Sequence, residues 1–340
     1  MLKFNYIYFN TEDNKYKKEE DGYYAICVKD LKELDNVRIV SYPLDYASGM
    51  IRKIFGIHHA YRINRIINLP FKNLWYPFYF KKDFRNNKPL CFVISGCYLQ
   101  GEYLRYLKRK YQNSKFVLIH RDLISQWEKR PFHYTNEEIR ELFDLRLSYD
   151  KKDAEKYKIP YFTEIESKIY IPKAKEYPLA DVFFAGKAKD RLEKLLRIYE
   201  LLTEAGLKCI YYLTGVPKNE RKNLPGIIYA EKGMSYKDML YYSYNCECIL
   251  EINQENAVGY TSRFLEAIMY GKKLITDNRE VKNTKFFNPQ YIQCIEDVEL
   301  LDTSFISNEV GKIDYHYKNE FSPIHLIEQI DKLLNPCEES

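Results

Sequence analysis

The sequence predicts an α/β protein made of two doubly wound, Rossmann-like domains, each with a parallel sheet. Short apolar runs such as 90–94, 115–119 and 181–186 alternate with amphipathic segments of helical period, the signature of repeated βαβ units. The chain has 340 residues, too many for one typical domain and comfortable for two. A stretch broken by Pro160, Pro172 and Pro178 falls near the middle and reads as an interdomain linker, 161–178, with a strand inside it. The domains are therefore set at 1–170 and 171–322, followed by a helix and tail at 323–340. With 33 Tyr and 19 Phe, a sizeable core is available to both.

The first domain opens on an alternating strand at 2–9, then a charged loop to Asp21. A periodic segment at 23–34 and a short strand at 37–40 follow. Residues 46–68 read as one amphipathic helix, with Ile51, Ile54, Phe55, Ile63, Ile66 and Ile67 on one side and Arg52, Lys53, Arg62 and Arg65 on the other. His58 and His59 are adjacent, point apart on a helix and lack a third ligand, so they read as structural or surface residues rather than a metal site. Residues 71–82 mix bulky aromatics with lysines. They suit either a membrane interface or a buried connector.

Next comes a clearer βαβ unit: strand 90–94, a turn at Ser95-Gly96, a basic helix at 100–111 and strand 115–119. Ligands gather at the carboxyl ends of such strands, so His120 and Asp122 are candidates for work on a hydroxyl nucleophile. The alternative is that His120 bonds within its loop and Asp122 caps the helix beginning near Leu123. Thr135 and Glu138 form a capping box for a helix at 135–143; a strand at 144–149 and a short helix at 150–157 complete the domain.

The second domain begins with strand 181–186, which ends in Gly186 and leads past Arg191 into helix 192–204. A glycine turn with a basic residue at a helix start makes an anion cradle. Strand 208–213 ends in Thr214-Gly215, and a short strand at 226–229, a helix at 236–244 and a strand at 248–252 follow. The informative stretch is 259–276, reading G-Y-T-S-R-F-L-E-A-I-M-Y-G-K-K-L-I-T. Here Gly259 and Tyr260 lead to a helix capped by Thr261 or Ser262 and stopped by Gly271, and then to another strand. Arg263 and Glu266 share one face near the helix start, suited to phosphate oxygens and ribose hydroxyls respectively, or to an ordinary i,i+3 ion pair. A last strand is expected at 291–294 and a helix at 323–334.

The segment around Glu266-Ala267 and Gly271 resembles the donor-binding motif of GT-B glycosyltransferases. The acid that many members carry eight positions earlier is replaced here by Val258. The resemblance implies two Rossmann-like domains facing a cleft, with the last helix crossing back to the first. It implies a nucleotide sugar, UDP- or GDP-linked, as co-substrate rather than a cofactor. It places Gly186, Arg191, Thr214, Gly215 and the stretch from Gly259 through Arg263 on the donor, with Ile228 and Tyr229 at the base and Glu266 on the ribose. On the acceptor side it places His120 and Asp122. No D-x-D, Walker loop or G-x-G-x-x-G occurs, so no metal is expected and the leaving diphosphate falls to helix ends and basic side chains.

Net charge is +5, divided as +9 over 1–165 and −4 over 166–340, and 52–130 holds 17 basic against 4 acidic residues. Such a field favours an anionic membrane face or a polyanion. The expected partners are a nucleotide sugar, a glycan or lipid-linked acceptor and the inner membrane surface, with no nucleic acid. The competing readings are a nucleic-acid-binding protein using the basic, aromatic first half, and a sugar-nucleotide epimerase of the same fold. No signal-peptide core or membrane-spanning run is present, so a cytoplasmic location is expected. The eight cysteines are scattered and read as reduced core thiols.

Overall fold

The computed structural model describes residues 2–10, 22–41, 43, 44, 46–60, 63, 66, 67, 69–95, 101–128, 136–172, 177–254 and 259–336. The chain forms two compact units, one of residues 1–149, 153–167 and 322–340, the other of 150–152 and 168–321. Gly96, Thr135, Arg62, Arg65 and Val258, on which parts of the sequence reading rest, lie outside the described residues.

The first unit holds five strands, β1 (Asn5–Phe9), β2 (Val37–Val40), β3 (Leu90–Ser95), β4 (Lys115–His120) and β5 (Leu145–Ser148). They pair in parallel in the order β2-β1-β3-β4-β5. Both faces are covered, so each strand alternates between two apolar layers. Ile7, Phe9, Phe92 and Phe116 meet Tyr103, Leu104 and Leu107 of α3 (Gly101–Lys110) on one face. Helices α1 (Tyr23–Cys27) and α2 (Gly49–His59) precede α3, and α4 (Ile124–Glu128), α5 (Asn136–Leu142) and α6 (Lys151–Tyr157) follow it. On the other face Tyr6, Tyr8, Val93 and Val117 meet Leu326, Ile327 and Ile330 of the C-terminal helix, Pro323–Leu334. That helix is tied to the strand it covers by Asp331, which accepts from the Tyr6 hydroxyl at 2.6 Å and the Lys3 amide at 2.8 Å.

Two local expectations change. The described part of the amphipathic stretch holds a helix at Gly49–His59 rather than one run from 46 to 68, broken at Ala60, and of its described apolar residues only Phe55 is buried. The linker 161–178 shows, among the described residues, an isolated bridge from Tyr161 to Ser148 but no strand, because its prolines remove amides a ladder needs.

The second unit holds β6 (Ala180–Lys187), β7 (Cys209–Thr214), β8 (Ile227–Ala230), β9 (Cys246–Glu251), β10 (Lys273–Thr276) and β11 (Ile292–Cys294), again all parallel. The order is β11-β10-β9-β6-β7-β8. The chain thus winds outward from β6 through β7 to β8, returns to place β9 on the other side of β6, and winds outward again. The gap between β6 and β9 is the topological switch point. Helix α7 (Leu192–Glu204) packs Leu195, Ile198 and Leu202 on one face, and α8 (Tyr236–Asn245) and α9 (Ser262–Tyr270) cover the other, with Phe264, Leu265 and Ile268 buried. The buried Lys273 ammonium donates to the carbonyls of Phe305, Ile306 and Asn308 at 2.6–2.9 Å, capping the short α10 (Ser304–Ser307). It satisfies the orphan carbonyls of that helix end. Both sheets match the α/β, Rossmann-like fold class expected from the sequence. The cysteines at 27, 91, 209, 246 and 248 are buried free thiols, and Cys294 is half-buried.

Gly226 and Gly215 both have positive φ, +79° and +73°, but a Cβ on Gly226 would lie 2.1 Å from the Cys209 carbonyl oxygen while one on Gly215 meets nothing within 4 Å. Gly215→Ala should therefore lose only the left-handed backbone cost, about 1–2 kcal/mol. Gly226→Ala should lose clearly more, because the backbone of β7 or β8 must move. Denaturant unfolding of the two variants side by side checks this, and equal losses would show that the close approach is not what fixes that glycine.

Candidate functional site

At the carboxyl edge of the second sheet, β6 runs through Ala185 and Gly186 into a loop whose Arg191 folds back over it. The Arg191 guanidinium donates to the Lys187 carbonyl at 2.9 Å and, across the switch point, to the carbonyl of Ile252 just past β9. Its plane lies over Phe184, and a Cβ on Gly186 would touch its Nη2 at 3.4 Å, so the glycine leaves the space this arginine occupies. Burial pushes the Arg191 guanidinium below its ordinary range. The Ala188 amide donates to the Thr214 carbonyl at 3.0 Å, which brings Thr214 and the exposed Gly215 alongside.

Helix α9 starts at the same edge. Its N-cap is Thr261, whose hydroxyl oxygen accepts from the Arg263 amide at 3.2 Å and whose O–H donates to Glu251. Glu251, the last residue of β9, also accepts from Thr276 Oγ1 at 2.6 Å, at the end of β10. One buried carboxylate thus joins two strand ends to the helix start. Desolvation raises its pKa above the ordinary carboxyl value, against the lowering effect of the two threonine hydroxyls.

Arg263 and Glu266 do form an i,i+3 pair, Nη1 to Oε1 at 2.5 Å, but not on a helix surface. Glu266 is 0 % exposed, and its carboxylate also accepts from Tyr236 at 3.1 Å and Ser243 at 2.9 Å. Arg263, 12 % exposed at its side chain, donates to the Ala185 carbonyl at 3.1 Å. Glu266 is thus a buried side chain, and its charged partner is the arginine that spans α9 and β6. Burial pushes its carboxyl up, with Arg263 opposing.

The other expected donor residues divide. Tyr260 is a core residue, its ring stacked on Phe264 at 4.9 Å. Gly259 accepts from the Asn278 side chain at 3.2 Å, and Ser262 opens α9, half-buried. Ile228 and Tyr229 lie on the edge strand β8, away from the switch point. Ile228 lines an apolar groove of about 630 Å³ with Leu207, Cys209 and Pro225, at the amino ends of β7 and β8. The Tyr229 hydroxyl accepts from the Lys222 amide at 3.1 Å. The two adjacent side chains point to opposite faces of the sheet, and the Tyr229 ring lies beneath Arg221, which donates to the Val216 carbonyl at 3.0 Å.

Sequence reasoning missed Asn253. Its amide N–H donates to Asp277 at 2.8 Å, while its side-chain Nδ2 and Oδ1 are shielded from solvent and have no partner among the described residues. Asp277 is itself held by Lys194 at 2.7 Å. The signal was positional: Asn253 is the second residue past a strand that borders the switch point.

In the first unit His120 is buried and its pKa is pushed down to about 3, first by desolvation and then by Arg146, whose Nη2 lies 3.4 Å from Nε2. So weak a base is unsuited to proton abstraction near neutrality. Asp122 is exposed, and the Ile124 amide at the start of α4 is held by Asp153, which accepts from it at 2.7 Å. Between them Arg121, also missed, pairs with Glu164 at 2.7 Å and lies over the rings of Tyr23 and Tyr24. Among the described residues no cluster of His, Cys, Asp or Glu could hold a metal ion, and no helix is long and apolar enough to cross a membrane.

No family model and no curated protein matches the chain. Solved structures do. A Listeria monocytogenes protein assigned as a UDP-N-acetylglucosamine 2-epimerase matches over 99 % of this chain and 98 % of its own, at 9 % identity and a TM-score of 0.51. The likeness is one of fold. A glycosyltransferase from Rickettsia africae is also similar, over 99 % of this chain and 100 % of its own, at 11 % identity and a TM-score of 0.48. The fold shared with the Listeria protein is the GT-B type, two Rossmann-like domains in one chain.

Glu266→Ala should not leave the fold intact, because it strands the Arg263 charge inside; a loss of about 3–5 kcal/mol is expected. For Glu251 the sign is set by a carboxyl raised in the folded state. Its contribution is fully present below the ordinary carboxyl pKa and is lost as pH rises through the raised value. The stability of the wild type relative to Glu251→Gln should therefore fall with rising pH from the ordinary carboxyl range upward. Melting temperatures of the two proteins across pH 4–8 read this difference directly.

Proposed function

We propose that this chain is a glycosyltransferase that moves a sugar from a nucleotide-sugar donor to a hydroxyl of a glycan or lipid-linked acceptor. We place it in bacterial surface polysaccharide synthesis, capsule or lipopolysaccharide, in the cytoplasm at the inner face of the plasma membrane. The observation that carries the reading is the pair of arginines that bridge the β6–β9 switch point beside the N-terminus of α9. Ligands of open parallel sheets bind at such points, and a helix start favours phosphate.

In this reading the first-turn amides of α9 and the loops at Gly186 and Gly215 hold the diphosphate. Arg191 and Arg263 supply the positive field, and the side-chain amide of Asn253 meets a donor hydroxyl. Glu266 acts through Arg263, as a positioning residue. The acceptor oxygen bonds to the anomeric carbon, the bond from that carbon to the phosphate oxygen breaks, and its electron pair leaves with the diphosphate. The acceptor proton goes to Asp122, which displaces His120 as our candidate base because it is exposed.

A thermal-shift panel with UDP, GDP, CDP and their sugars, with and without chelator, tests the donor site. One diphosphate family should raise the melting temperature regardless of chelator, by the equivalent of ~2.7 kcal/mol at ~100 times its dissociation constant. Arg191→Ala should weaken that nucleotide by about tenfold to a hundredfold, the worth of a charged hydrogen bond. No shift with any nucleotide would overturn the assignment. Because the Listeria protein of like fold bears an epimerase name, UDP-N-acetylglucosamine should also be incubated without acceptor. Net conversion of the sugar there would favour epimerisation over transfer.

A further inference from the structure

We propose that the face formed by α2 and the 3-10 turn Lys72–Phe78 docks on an anionic lipid bilayer. Among the described residues, eleven of the sixteen exposed large apolar side chains fall within residues 46–78. Met50, Ile54, Ile57, Ile66, Phe71 and Leu74 all point to solvent, Ile66 with 83 % and Met50 with 73 % of its surface exposed. Concentrated exposure of this kind marks an interaction surface.

The face is built rather than frayed. Phe55, the one buried residue of α2, stacks on His59 at 4.0 Å and meets the edge of Trp75 at 5.4 Å. Trp75 Nε1 donates to His58 Nδ1 at 3.2 Å, and the Tyr46 hydroxyl donates to the Phe78 carbonyl at 2.9 Å. The adjacent histidines serve this aromatic clamp. Tyr76 and Phe80 sink into the core of the sheet below, so the aromatic stretch is part connector and part surface. The clamp commits the apolar side of α2 outward.

Charge chooses the occupant. Residues 46–88 hold nine Lys and Arg against one acid, Asp83, which pairs with Arg38 at 2.6 Å. Arg52 and Lys53 of α2, and Lys81, Lys82 and Arg85 shortly after Phe78, are exposed. A second copy would bring like charges face to face. A nucleic acid would find cations but few rings to stack on, since isoleucine and methionine dominate the face. An anionic bilayer accepts both components, apolar side chains at the acyl boundary and cations at the headgroups. The lipid-linked acceptor gives the surface its purpose, and that purpose rests on the function proposed above; the docking itself does not.

The test is co-sedimentation of the full chain with vesicles of phosphatidylcholine alone or mixed roughly three to one with phosphatidylglycerol, at low and physiological salt. The chain should partition onto the anionic vesicles at least ~10-fold more strongly, with salt weakening it. The triple variant Ile57→Ser, Ile66→Ser, Leu74→Ser should lose about tenfold or more in partition at an unchanged melting temperature, since those side chains are already exposed. No binding to anionic vesicles, or equal binding by the triple variant, would overturn the proposal. Self-association abolished by the triple variant, with no vesicle binding, would also overturn it and assign the face to a second copy. Nucleotide thermal shifts without lipid report the donor site independently, so either reading can fail alone.

Discussion

The contact from Glu266 through Arg263 to the carbonyl of Ala185 holds the working edge of the second unit together. A carboxylate with no exposed surface is tolerated only because a guanidinium, a tyrosine and a serine satisfy it together. The arginine so fixed joins α9 to β6, and Arg191 makes a second bridge, to the carbonyl beyond β9. Both reach the place in the sheet where winding reverses, beside the ends of β6 and β9. Glu251 completes the frame from the other side, joining β9 and β10 to the start of α9 through two threonine hydroxyls. What remains outward is a helix N-terminus, two glycine loops and positive charge.

The first unit shows a different use of side chains. Its sheet is buried on both faces by ordinary alternation, but its second helix keeps a single buried ring and turns its other apolar residues outward. Burying one more isoleucine side chain would gain about 2 kcal/mol, so a whole face left in water is a stability forgone. An amphipathic helix whose apolar side does not face its own core is what the proposed docking on a bilayer requires.

The same residues show why a sequence reading of a site is partial. Arg263 and Glu266 were found by spacing, and spacing placed them correctly on one helix face near its start. Whether that face looks at solvent or at β6 depends on how α9 packs, which no i,i+3 rule contains; hence the burial of Glu266 was not legible. His120 was likewise found by its place after a strand, but the burial that pushes it down to about 3 comes from neighbours, Arg146 included, that are distant in sequence. Arg121 and Asn253 were passed over because each is an unremarked polar residue until tertiary packing surrounds it.

Legible from the sequence alone were the α/β class, most of the strands, a cap at Thr261 or Ser262, the stop at Gly271, and the basic bias of the first half. All of these follow from local rules: period, turn chemistry, capping and charge count. The tertiary structure decided the strand order, and with it the switch point between β6 and β9 where the two arginines cross. It also decided which apolar residues near 46–78 are core and which are surface. The physical reason is the same in both cases: periodicity states that a helix has an apolar face, and only packing states what that face meets.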